Sequence, residues 1–113
     1  MRLEAMKYLY DIQYAADLLT EFTTGKTFAD YERDAMLRAA VERQFEIIGE
    51  AMSQLAKIDE KVVAGIGDHQ RIIAFRNVLI HRYTDVDDRL VWNVVETNLP
   101  TLVRDIKALL EEG

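Results

Sequence analysis

The segment Arg76-Asn77-Val78-Leu79-Ile80-His81-Arg82-Tyr83 holds the side chains of this 113-residue sequence best suited to chemistry. A guanidinium grips phosphate bidentately and stabilises developing negative charge. An imidazole moves protons near neutral pH. At roughly 100° per residue, Asn77 and His81 fall one turn apart on one helix face, with Arg76 beside Asn77. Such a group could bind a phosphate and transfer a proton. The same residues also have a plain structural account. A histidine near a helix C-terminus commonly interacts with the last carbonyls. An arginine in a bundle commonly pairs with a carboxylate from a neighbouring helix, and the chain has 20 acidic residues. From spacing alone, that account is the simpler one.

Other chemical constellations are weaker. Glu42, Glu46 and Glu50 repeat every four residues and resemble half of a carboxylate metal site. No Glu-x-x-His accompanies them, as a di-metal bundle requires, so they read as a solvated acidic face. There is no glycine-rich phosphate loop, and the single serine, Ser53, lies among apolar helix residues, a poor place for a nucleophile. The absence of cysteine excludes disulfides and thiolate sites. No metal and no cofactor is expected.

Fourteen basic residues against 20 acidic ones give a net charge of −6. That total argues against a broad nucleic-acid-binding face. The charge is unevenly spread, however. From His69 to Thr84 there is no Asp or Glu, while Arg71, Arg76 and Arg82 make the stretch +3 and leave −9 elsewhere. An acidic body with one cationic segment fits a localised anion site.

The elements that must position this segment are helical. Half of the residues are hydrophobic, and with only 5 Gly and 1 Pro the chain lacks the turns of a sandwich or barrel. Its length suits one domain, residues 1–113, able to bury roughly two-thirds of its unfolded surface. No apolar run is long enough to cross a membrane, and the charged N-terminus is no signal peptide, so a cytoplasmic location is expected.

A first helix is expected from about Leu3 to Thr24, with Ala5, Leu9, Ile12, Ala16, Leu19 and Phe22 on one face and Gly25 as its stop. Thr27 or Asp30 can cap a long second helix, about Tyr31 to Lys57, striped by Leu37, Val41, Phe45, Ile48, Met52 and Leu55. Gly49 inside that helix predicts a close crossing by a neighbour. Asp68 is a candidate cap for a third helix ending near His81. Ile72, Ile73, Ala74, Phe75, Val78, Leu79 and Ile80 are apolar almost all round it, which predicts burial on most sides. Thr84 as cap, with Asp87 at the capping-box position, starts a fourth helix. Leu90, Val94, Leu102, Ile106 and Leu109 form its apolar face, and Pro100 predicts a kink or short interruption. The fold class is all-α, a four- to five-helix up-and-down bundle.

Three blocks in register identify a resemblance. Arg76-x4-His81-x-Tyr83 resembles the R-x4-6-H-x-Y signature of the HepT-like toxins of the HEPN superfamily, with Asn77 at the polar position after the arginine. Glu46-Ile47-Ile48-Gly49-Glu50-Ala51 is similar to the IIGEA block of that family's second helix. Tyr83-Thr84-Asp85-Val86-Asp87, Val91-Trp92 and Leu99-Pro100-Thr101-Leu102 follow the family pattern downstream. The resemblance covers about Met1 to Leu110.

The resemblance implies an all-helical homodimer acting as a metal-independent endoribonuclease, paired with an MNT-type nucleotidyltransferase as antitoxin. Arg76 and His81 would be catalytic, lining a cleft at the dimer interface. Asn77 would support them, Arg82 would help bind RNA, and Tyr83 would be the tyrosine that the partner adenylylates. The alternative is a non-catalytic helical subunit that binds nucleotide or docks the nucleotidyltransferase, because a fold does not fix an activity.

Overall fold

A computed structural model describes residues 1–112, the side chain of Tyr83 excepted. Among the described residues the chain is helical, without strands. Its helices are α1 (Leu3–Thr23), α2 (Phe28–Arg33), α3 (Ala35–Ile58), α4 (Glu60–Ala64), α5 (His69–His81) and α6 (Asp88–Glu112), with a 3-10 turn at Tyr83–Asp85 between the last two. The expected four long helices are present, joined by the short α2 and α4.

The apolar stripes do the packing. Ala5, Leu9, Ile12, Ala16 and Leu19 of α1 are buried against the stripe of α3, and all six expected α3 residues are buried too. Helix α6 lies against α1 and α2, contributing Val91, Trp92, Val95, Leu99, Leu102 and Ile106. Trp92 meets Tyr31 of α2 at 5.3 Å between ring centroids. Gly25 follows α1 with φ +77°, a left-handed conformation that glycine adopts without strain.

Several boundaries differ from expectation, each for a local reason. The single helix expected from Tyr31 to Lys57 is two. Thr27 and Asp30 form a reciprocal capping box on α2, and Asp34 caps α3 by accepting from the Leu37 N–H at 3.1 Å. Asp68 precedes α5 but does not cap it, because its carboxylate accepts from the Asn98 side chain at 2.8 Å. Thr84 lies in the 3-10 turn, and Asp87 starts α6 instead, taking the Arg89 N–H at 2.9 Å. Leu90 is exposed rather than part of the α6 core. Helix α6 runs uninterrupted through Pro100. Pro100 and Glu96, whose carbonyl loses its i+4 donor, both sit on the exposed face, so the unpaired carbonyl is not in the core.

The largest departure concerns α5. It is not buried on most sides. It packs chiefly on α3 through one stripe, Ile72, Phe75 and Leu79, with Phe75 edge-to-face on Phe45 at 5.2 Å. Ala74, Asn77 and His81 are exposed, and Val78 is half-buried. One neighbouring helix buries one stripe, and the other apolar residues, Ile73, Val78 and Ile80, are only half-buried.

Candidate active site

Gly49 is where α3 and α5 meet. A Cβ built on it would lie 2.2 Å from the Arg76 Cβ and 2.6 Å from its Cγ. The expected close crossing is therefore real, and the residue that crosses is Arg76. Its aliphatic stem lies directly on the α3 backbone. Its head is held by two acceptors. Nη2 donates to Glu50 Oε2 at 2.5 Å, and Nη1 donates to Asn77 Oδ1 at 3.0 Å. The Arg76 side chain keeps a quarter of its surface exposed, and Glu50 keeps half.

His81 is the last residue of α5 and is exposed. None of the hydrogen bonds between described residues involves its ring. Arg82 follows as the helix cap, its backbone N–H donating to Val78 O at 2.9 Å while its side chain is exposed. The Tyr83 hydroxyl lies outside the described residues. Five helical steps lead from Arg76 to His81, about 7.5 Å along the axis and about 140° around it. The fold joins Arg76 to Asn77 but does not bring Arg76 and His81 together within one chain.

Beside Arg76 runs a groove of about 530 Å³ between α1, α3 and α5, lined among others by Lys7, Tyr8, Ile47, Glu50 and Ile80. Each cation on it has its own acid: Lys7 with Asp11 at 2.8 Å, Arg43 with Glu46 at 3.6 Å, Arg76 with Glu50. The hydrogen bond to Asp11, and the Asp11 charge, push Lys7 above the usual lysine range. The groove is thus close to neutral. Arg82 lies exposed at the C-terminal end of α5, where the helix dipole also favours cations.

The glutamates of α3 do not form one solvated face. Glu46 pairs with Arg43 and Glu50 with Arg76. Glu42 is half-buried, and burial, with the charges of Asp88 and Glu46, raises its pKa. Among the described residues, no three His, Asp or Glu side chains converge as a metal site would require. Glu50 is the site residue that spacing alone misses. Its signal was available in Gly49: a glycine that admits a crossing helix also places its neighbour within reach of that helix.

Residues 12–109 match the family model described as "Ribonuclease HepT-like". The chain belongs to the HepT-like ribonuclease family. A relative in Thermococcus cleftensis named "Probable ribonuclease HepT" is 36% identical over 95 residues, covering 84% of this chain and 86% of that protein. A Methanocaldococcus jannaschii protein is 30% identical over 100 residues (88% and 91% covered), and a Caldanaerobacter subterraneus protein 31% identical over 105 residues (93% of each). The names of both assign them an RNase activity provisionally. No solved structure matches the chain. In this HepT-like chain the motif arginine and histidine both lie on α5, the long helix with the smallest buried share. Among the described residues, no helix is long and apolar enough to cross a membrane.

Proposed function

We propose that this protein is an endoribonuclease toxin of a toxin–antitoxin pair, acting in the cytoplasm and cleaving RNA without a metal. The observation that carries the reading is the complete Arg76-x4-His81-x-Tyr83 motif, on an outward-facing helix, in a chain of the HepT-like ribonuclease family. Cleavage begins with the RNA 2′-hydroxyl attacking the adjacent phosphorus. A base takes the hydroxyl proton, an acid gives a proton to the leaving 5′-oxygen, and positive charge stabilises the phosphorane. The products are a 2′,3′-cyclic phosphate and a 5′-hydroxyl.

One chain offers one motif histidine for two proton transfers. A homodimer resolves this. An isologous interface over α5 brings two copies of His81 and two of Arg76 to one cleft, and it covers Ala74 and Val78, which a single chain leaves at its surface. One imidazole then serves as base and the other as acid, or one His81 works with water. Arg76 meets the phosphorane, with Asn77 supporting it, and Arg82 adds charge for the RNA backbone. Tyr83, two residues past His81, is where a partner nucleotidyltransferase would act. An attached AMP adds negative phosphate beside His81 and Arg82 and competes with RNA for them.

One observation favours the alternative, a non-catalytic subunit that binds nucleotide or docks the nucleotidyltransferase: Arg76 already has an internal carboxylate partner. Cleavage of a defined single-stranded RNA, with and without chelator, separates the two. The toxin reading expects chelator-resistant cleavage that falls about 100-fold or more in His81→Ala and Arg76→Ala, with the melting temperature of His81→Ala unchanged. It also expects growth arrest on expression without the partner, and an added AMP mass on Tyr83 with it. Wild-type cleavage by His81→Ala would refute the assignment.

A further inference from the structure

We propose that Gly49, Glu50 and Gln54 of α3 form a fixed seat for Arg76, which makes Glu50 a positioning residue for the phosphate chemistry. This rests on the ribonuclease reading above. An arginine on a surface helix ordinarily samples many rotamers. Arg76 is held at both ends. At the stem, the missing Cβ of residue 49 leaves the space that the Arg76 Cβ and Cγ occupy, 2.2 and 2.6 Å from where that atom would be. No other residue type permits that approach.

At the head, the contacts form a chain across two helices. Gln54 Nε2 donates to Glu50 Oε1 at 3.0 Å, Arg76 Nη2 donates to Glu50 Oε2 at 2.5 Å, and Arg76 Nη1 donates to Asn77 Oδ1 at 3.0 Å. Glu50 is therefore anchored on its far oxygen before it reaches Arg76. Arg43, the other α3 cation lining the groove, is already turned to Glu46. The four side chains constrain one another, and each bond to a charged group is of the stronger, more directional kind.

The donor count decides between a seat and a block. A guanidinium carries five N–H donors. Glu50 takes one from Nη2 and Asn77 takes one from Nη1, which leaves the second proton on each Nη and the Nε–H. Three donors remain for phosphate oxygens while Glu50 stays in place. A carboxylate whose role was to occlude the site would have to leave before RNA bound. Glu50 instead fixes the orientation in which the remaining donors meet the phosphorane.

Cleavage kinetics and guanidinium NMR on the full-length protein test this. Glu50→Ala should lower kcat about 10- to 100-fold with little change in KM. Glu50→Gln, which keeps an acceptor at the same reach, should recover part of the loss, and Gln54→Ala should lose less than Glu50→Ala. Independently of activity, the Arg76 Nη protons, identified by their absence in Arg76→Lys, should be resolved by slow rotation in the wild type and averaged in Glu50→Ala. A Glu50→Ala enzyme with unchanged kcat and lower KM would overturn the proposal, since Glu50 would then be a competitor of RNA. Equal averaging of the Arg76 protons in wild type and variant would overturn it as well. A wild type inactive on RNA would refute the ribonuclease reading instead, and the NMR comparison would still decide whether Glu50 holds Arg76.

Discussion

Replacing Gly49 with alanine sets two effects of opposite sign against each other. In the interior of an exposed helix the change normally stabilises by about 1 kcal/mol, because alanine loses less backbone entropy. At position 49 the added methyl would lie 2.2 Å from the Arg76 Cβ. Ordinary carbon–carbon contact lies near 3.5–4.0 Å, so the shortfall is about 1.3 Å at least. The Arg76 Cγ can rotate away, but the Cβ is fixed to the α5 backbone. Relief therefore requires α5 to retreat from α3. That loosens Ile72, Phe75 and Leu79, the stripe that fastens α5, and the Phe45–Phe75 contact with it. A gap of even 0.5–1 Å forfeits about a quarter to a half of each dispersion well, and overpacking a core costs about 1–3 kcal/mol. The clash is backbone-anchored, so the upper end applies. Set against the helix gain, the net cost is about 2 kcal/mol.

For a domain of this size that corresponds to a fall of roughly 10 °C in Tm. It is read by circular dichroism melts at one fixed protein concentration, since assembly makes Tm concentration-dependent. Two companions sharpen the result. Arg76→Ala keeps its Cβ and should not rescue Gly49→Ala. Arg76→Gly removes the opposing atom and should restore most of the loss, less its own helix penalty of about 1 kcal/mol. A Gly49→Ala protein that melts at or above the wild type would refute the close approach and everything built on it.

Asn98, 4% exposed, donates to the Asp68 carboxylate at 2.8 Å. Asn98→Ala should cost about 2 kcal/mol in urea unfolding with m unchanged, and a cost within about 0.5 kcal/mol would show that the bond contributes little. Glu42 provides a pH test. Burial, then the charges of Asp88 and Glu46, raise its pKa above 4.5 against the pull of Arg38. The folded chain thus holds this proton more tightly than the unfolded chain, so stability falls as pH rises from about 4.5 through the raised value. Glu42→Gln should raise Tm at pH 7 and leave it unchanged near pH 4; an equal gain at both pH values would disprove the titration.

What the sequence discloses depends on the range of the interaction. The stripes of α1 and α3 were legible because periodicity is local and an apolar face has to be covered. Gly49 was legible because an unfavourable residue in a good helix asks for a neighbour. The break at Asp34 was not, since the apolar stripe resumes at Leu37 and hides a junction made by two successive caps. Asp68 looked like a cap because its partner, Asn98, lies 30 residues away on another helix. Glu50 looked solvated for the same reason. Its partner Arg76 is 26 residues on, and only the α3–α5 crossing brings the two together.

Helix α5 shows why composition alone overstated its burial. Its apolar residues go nearly all round, yet a single chain fully buries only the side that meets α3. Ala74 and Val78 line an open groove with Leu90, Asn93 and Val94 of α6, and α6 packs mainly against α1 and α2 without closing over them. The chemistry follows the same division. Arg76 sits at the boundary with α3, where Gly49 and Glu50 hold it still. Asn77 bridges to the outer face, and His81 ends the helix in solvent. A proton-transfer residue needs access to substrate, whereas a charge-stabilising arginine gains from being fixed before the charge develops. On the proposed ribonuclease reading, a held arginine and an accessible histidine on one helix suit the two roles that cleavage would give these side chains.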